Sequence, residues 1–177
     1  MNPTIRQEQT TDHDAVFALI EAAFKDEEFT DHQEQFLVAR LRKLDAFIPE
    51  LSLVAELDQQ VVGHILLTKV KIKGEAGYTD ALALAPVSVL PGFQGKGIGG
   101  KLIERSHAIA RELGHRLIVL LGHADYNPRF GYKTSALFGI QFPFEIPPEN
   151  GMVYELVEGA LDGVEGMIVY PEEFGVG

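Results

Sequence analysis

The sequence predicts one α/β (α+β) domain over residues 1–177, with a central mixed, mostly antiparallel sheet flanked by helices. Three observations predict it. Helical periodicity occurs in two segments near the start and one near the middle. A hairpin of period two lies between them. A glycine-rich loop then joins an apolar strand to a helix that a second apolar strand follows, and this β-α-β unit requires a parallel pair. With 46% hydrophobic and 23% charged residues in 177, the chain can bury one substantial core and is short for two ordinary domains.

Residues 4–8 read as a first strand. Thr11-Asp12-His13-Asp14 sets a hydroxyl three residues before a carboxylate, close to a capping box. Val16, Leu19, Ile20, Ala23 and Phe24 then fall on one face of a helix. Asp31-His32-Gln33-Glu34 repeats the cap, and Leu37, Leu41 and Leu44 make a second stripe before Pro49. From Leu51 the period becomes two: Leu51, Leu53, Ala55 and Leu57 alternate up to the polar Asp58-Gln59-Gln60, and a β-branched run from Val61 to Ile72 returns.

The next apolar run, 81–90, contains Pro86, which has no N–H for a ladder and so predicts a bulge or a local break in pairing. After the glycines of 92–97, Ile98, Leu102, Ile109 and Leu113 mark a helix that Gly114 ends. Leu117 to Leu121 is unbroken, as in a strand covered on both faces. A short segment at 125–130, a β-like stretch at 132–142, a loop at 143–151 and β-prone runs at 152–156 and 167–170 complete the chain.

Composition excludes several chemistries. The chain has no cysteine, so disulfides, thiolate metal sites and a Cys nucleophile are ruled out, and no metal is expected. No apolar run approaches a membrane span, and the first residues lack the layout of a signal peptide, so the expectation is a cytoplasmic protein with no membrane partner. A formal charge of -11 opposes a nucleic-acid partner and favours cationic ones.

The informative segment runs from Val87-Ser88-Val89 through Gln94-Gly95-Lys96-Gly97-Ile98-Gly99-Gly100. Unpaired N–H groups at a helix start attract anions, and residues without a Cβ let a phosphate oxygen approach. Gly95, Gly97 and Gly100 satisfy G-x-G-x-x-G, but the chain offers too few parallel units for a dinucleotide fold, and His123 follows the strand that should end in an acidic ribose ligand. Gly95 and Gly100-Lys101 satisfy most of a P-loop, yet Leu102 replaces its hydroxyl and no Asp closes the next strand.

Gln94-x-x-Gly97-x-Gly99 closely resembles the pyrophosphate loop of the GNAT N-acetyltransferases, and the order of elements resembles that family over most of the chain. Arg129-Phe130-Gly131-Tyr132 and the segment from Ala160 to Gly166 are similar to its bacterial YhbS-like subgroup. The resemblance implies an acetyl-coenzyme A-dependent acyltransferase that acetylates an amine, on a small molecule or a protein, directly and without a covalent enzyme intermediate. It implies a GNAT fold whose parallel pair splays, with pantetheine lying along Val87 and Val89 and the Val89 amide near the acetyl carbonyl. Backbone amides from Gln94 through Gly99 would hold the pyrophosphate, within a cofactor segment of Val87, Ser88, Val89, Gln94, Gly95, Lys96, Gly97, Ile98, Gly99 and Gly100.

For the acid, the family often has a Tyr where this chain has Asn127, with Tyr126 beside it. For the base, His123, His64, Glu21, Glu27 and Glu28 are all conceivable. Phe24, Asp26, Glu27, Glu28 and Phe29 would line the acceptor, and a homodimer through the C-terminal strands is common in similar proteins. The rival reading is a GNAT-like fold that binds coenzyme A as a sensor or interaction module without catalysis.

Overall fold

The computed structural model describes residues 2–27 and 31–174; Glu28 and Phe29 lie outside the described residues. Two compact units emerge, residues 1–67 with 86–109 and residues 68–85 with 110–177, and two long strands contribute to both.

The first unit holds β1 (Thr4–Gln7), α1 (His13–Phe24), α2 (Glu34–Leu41), β2 (Phe47–Leu57), the first half of β3 (Gln60–Gly74), the end of β4 (Gly77–Val89) and most of α3 (Ile98–Glu112). β1 runs antiparallel to β2, from Thr4 opposite Glu56 to Gln7 opposite Leu53. Asp58 and Gln59 join β2 to β3 with φ of 50° and 65°, the left-handed pair that a two-residue hairpin turn requires. The core gathers Val16, Leu19 and Ile20 from α1, Val38 and Leu41 from α2, the apolar residues of β2 and β3, and Ile98 and Leu102 from α3. A Cβ at Gly63 would lie 3.0 Å from Leu102 and 3.2 Å from Ile98, so this glycine lets α3 sit close on β3.

Both caps differ from expectation. Asp12, not Thr11, closes the first helical turn: it belongs to a 3-10 turn at Thr10–Asp12 and its carboxylate accepts the Gln9 N–H at 2.7 Å. Arg6 grips the same carboxylate at 2.8 and 3.0 Å, so the preceding strand β1 fixes this turn. Asp31 accepts the N–H of Gln33 at 2.9 Å, and α2 begins at Glu34 with no side-chain cap. α2 ends at Leu41, which leaves Leu44 outside the helix; Gln35, Val38 and Leu41 form the buried face.

In the second unit β4 and β5 (Leu117–Leu121) are the expected parallel pair, with Leu82 opposite Ile118 and Ala83 opposite Val119. β8 (Gly151–Glu155) runs antiparallel to β5, and β6 (Lys133–Thr134) pairs with β8. β9 (Gly166–Val169) runs antiparallel to β3, and β7 (Ile140–Gln141) is parallel to β9. Val70, Ile72, Ala83, Val119, Phe142, Val153 and Ile168 are among its core. The β-like stretch at 132–142 resolves into the two short strands β6 and β7 around a 3-10 turn, Ser135–Phe138, which Gly139 terminates at φ 70°. The described residues thus hold nine strands in a mixed, mostly antiparallel sheet with helices, as the sequence predicts.

Pro86 marks a bulge. The two-residue turn at 75–76 sets Gly74 of β3 opposite Gly77 of β4, and farther along the hairpin the Leu90 N–H donates to the Val62 carbonyl at 2.9 Å. One residue more separates Gly77 from Leu90 than separates Val62 from Gly74. The surplus residue lies on the β4 side, in the stretch that contains Pro86.

Candidate active site

β4 leaves its last residue, Val89, through a loop that carries three left-handed glycines: Gly92 at φ 91°, Gly95 at 75° and Gly97 at 82°. At each of the three an added Cβ would meet nothing within 4 Å. Gln94 folds its amide back to donate to the Val89 carbonyl at 2.9 Å, and the Phe93 N–H donates to the Leu90 carbonyl at 3.0 Å, which ties the loop to the end of the strand.

The Lys101 N–H reaches the Gly97 carbonyl at 3.1 Å and opens the hydrogen-bond ladder of α3. The N–H groups of Ile98, Gly99 and Gly100 precede that bond and have no partner inside the helix. No acidic residue stands in the first turn, while Lys96 lies over the Phe93 ring and Lys101 donates to Asn2 at 3.2 Å. Buried Ile98 and Leu102 anchor the helix beneath the loop. Free N–H groups, the positive end of the helix dipole and two lysines suit a phosphate-bearing ligand. Val87 and Val89 are half-buried; Ser88 between them is buried, and its Oγ has no hydrogen-bond partner among the described residues.

On the same unit lies a polar cluster that the apolar patterning concealed. The Glu8 side chain, only 2% exposed, accepts from Arg42 at 3.1 and 2.6 Å and from the Ser52 hydroxyl at 3.0 Å. Ser52 Oγ also lies 3.2 Å from Nε2 of fully buried His64, whose Nδ1 has no partner among the described residues. Burial alone would raise Glu8, but the hydrogen bonds and charge of Arg42, with the Ser52 hydroxyl, hold it below its ordinary value. Burial pulls His64 down to about 4 against the pull of Glu8. A Ser and a His within largely apolar strand segments were the signal available in the sequence, since buried polar side chains need partners.

The second unit holds His123, Tyr126 and Asn127, and the acidic candidates belong to the first. Asn127 is buried, and its Oδ1 accepts the His123 N–H at 2.9 Å, closing the turn that leaves β5. Half-buried Tyr126 packs edge-on against Phe130, with the Arg129 guanidinium 4.6 Å above its ring. His123 is exposed. Glu21, Asp26 and Glu27 are exposed on or just beyond α1. Among the described residues no cluster of metal-ligating side chains occurs, and no helix is long and apolar enough to cross a membrane.

Comparison with known proteins places this geometry. Residues 4–135 match the model of the acetyltransferase (GNAT) domain. YjhQ of Escherichia coli, called an uncharacterised N-acetyltransferase, is 40% identical over 119 residues, 67% of this chain and 66% of its own length. YhbS of the same organism, similarly described, is 29% identical over 171 residues, 96% of this chain and 97% of its own. The crystal structure of E. coli YhbS in complex with CoA superposes with a TM-score of 0.86 at 28% identity, covering 99% of this chain and 93% of that one. A GNAT family acetyltransferase from Brucella melitensis in complex with acetyl-CoA gives 0.81 at 35% identity, covering 98% of both chains.

Proposed function

This chain belongs to the GNAT acetyltransferase family, and we propose that it is an N-acetyltransferase that takes acetyl-coenzyme A as donor and an amine as acceptor. One observation carries the reading: three left-handed glycines lead into a helix whose first N–H groups have no partner inside the helix and whose first turn carries no acidic side chain. Acetyl-coenzyme A, when bound, supplies the acetyl group as a thioester. The backbone from Gln94 to Gly99 holds its pyrophosphate, Lys96 and Gly100 flank that cradle, and Ile98 fixes the helix under it. Val87 and Val89 offer backbone groups to the pantetheine arm, and the Val89 N–H polarises the acyl carbonyl. Tyr126 as acid and His123 as base, with Asn127 bracing the turn between them, are the assignments that the family resemblance supports. A charge of -11 supports a cationic acceptor, a small-molecule or protein amine.

Thiol release tests the proposal. Because the chain has no cysteine, a thiol reagent reports coenzyme A alone. Release from acetyl-coenzyme A that depends on an added amine supports an acetyltransferase. Binding without release, across small cationic amines and lysine peptides, would favour a second reading: a coenzyme A-binding module without catalysis. The favouring observation is Asn127, which stands where the family often has an acid and whose carbonyl is bonded to the His123 N–H.

A further inference from the structure

The partners of His64 fix its tautomer. The Glu8 carboxylate can only accept, so the single hydrogen of the Ser52 hydroxyl points to it at 3.0 Å. Ser52 Oγ must therefore accept from His64 Nε2 at 3.2 Å, which places the ring proton on Nε2 and leaves Nδ1 a bare acceptor. That atom is fully buried and has no donor among the described residues. A buried acceptor left unpaired is costly, and so is a buried hydroxyl.

A hydroxyl without a partner stands on the next strand. The bond from the Leu90 N–H to the Val62 carbonyl sets those residues opposite each other, and the same register continued two residues along each strand brings His64 opposite Ser88. Side chains opposite each other share a face with Cβ atoms about 5 Å apart, within reach of a rotated hydroxyl. Ser88 Oγ is the buried side-chain atom of β4 without a hydrogen-bond partner among the described residues.

We propose that Ser88 and His64 are positioning residues for the cofactor strand: the Ser88 hydroxyl donates to His64 Nδ1, completing a buried relay from Arg42 through Glu8, Ser52 and His64 that holds the bulged end of β4. The proposal rests on the acetyl-coenzyme A reading above. A bulge interrupts the ladder that would otherwise fix the strand, and β4 must nevertheless present the Val87 and Val89 backbone in one orientation. The relay supplies a side-chain hold on the opposite edge, through a residue that lies between those two valines. Glu8, Arg42 and the titratable His13, at 3.8 Å from Glu8, are the groups that face it.

The test compares Ser88→Thr with Ser88→Val, near-isosteres that keep and remove the hydroxyl, in the full chain. Nitrogen-15 NMR of labelled histidine should show His64 protonated at Nε2, with an Nδ1 resonance shared by wild type and S88T and displaced in S88V. Calorimetric titration with acetyl-coenzyme A should show S88V binding about tenfold more weakly than S88T. A proton on Nδ1 in the wild type overturns the proposal even if S88V fails to fold. So does an unchanged Nδ1 resonance in S88V, or equal affinity of the two variants. A wild type that binds no acetyl-coenzyme A overturns the cofactor reading and the positioning role with it, and the resonance comparison alone then decides whether the hydrogen bond exists.

Discussion

Single buried groups set the most specific expectations. His64 is neutral in the folded chain down to about pH 4 and takes up a proton near 6.5 when unfolded. The unfolded state therefore binds more protons between those values, so stability falls as pH drops from about 6.5 to about 4, by up to about 3 kcal/mol, and is independent of this group above that window. Urea unfolding at a series of pH values reads the slope, and His64→Phe should flatten it. Glu8 keeps its charge against burial chiefly through Arg42. Arg42→Met leaves a nearly buried carboxylate uncompensated and should cost about 3–5 kcal/mol in urea unfolding near neutral pH. Arg42→Met together with Glu8→Gln should recover much of that loss, since no buried charge is then left alone.

At the scale of elements, the approach of α3 to β3 depends on Gly63. Gly63→Val would drive a branched side chain into Leu102 and Ile98, and we expect a loss of about 2 kcal/mol or more by denaturant unfolding, larger than for Gly63→Ala. The elements themselves were legible where periodicity was sustained: the apolar face of α1, the alternation in β2, and the strand, glycines and helix of 87–113. Pro86 located the bulge because a residue without an N–H cannot continue a ladder. Three features were hidden, each for a physical reason. The first cap involves Arg6, a partner outside the local window. The short strands β6 and β7 look like one strand, because an apolar run between turn residues carries no period of its own. The Glu8–Arg42–Ser52–His64 cluster draws on four segments, which only folding brings together. For the candidate site, the glycine loop could be read because it is local in sequence, whereas neither the acid nor the base has a local pattern to mark it.

For the molecule as a whole, the net charge of -11 should govern how acceptors arrive. Turnover of a cationic amine at limiting concentration should fall severalfold as salt rises from about 0.05 to about 0.5 M, while a neutral amine analogue should respond little. That dependence is read from initial rates of thiol release. Acetyl-coenzyme A recognition is the central claim, and every proposed residue role depends on it. Calorimetric titration of the wild type beside Gly97→Glu, with the variant's fold checked by circular dichroism, tests it most directly. The wild type should bind with a dissociation constant on the order of micromolar, and binding should be lost in Gly97→Glu, which places a carboxylate on the loop. A wild type that gives no heat of binding, or a folded Gly97→Glu that binds as tightly, would contradict it.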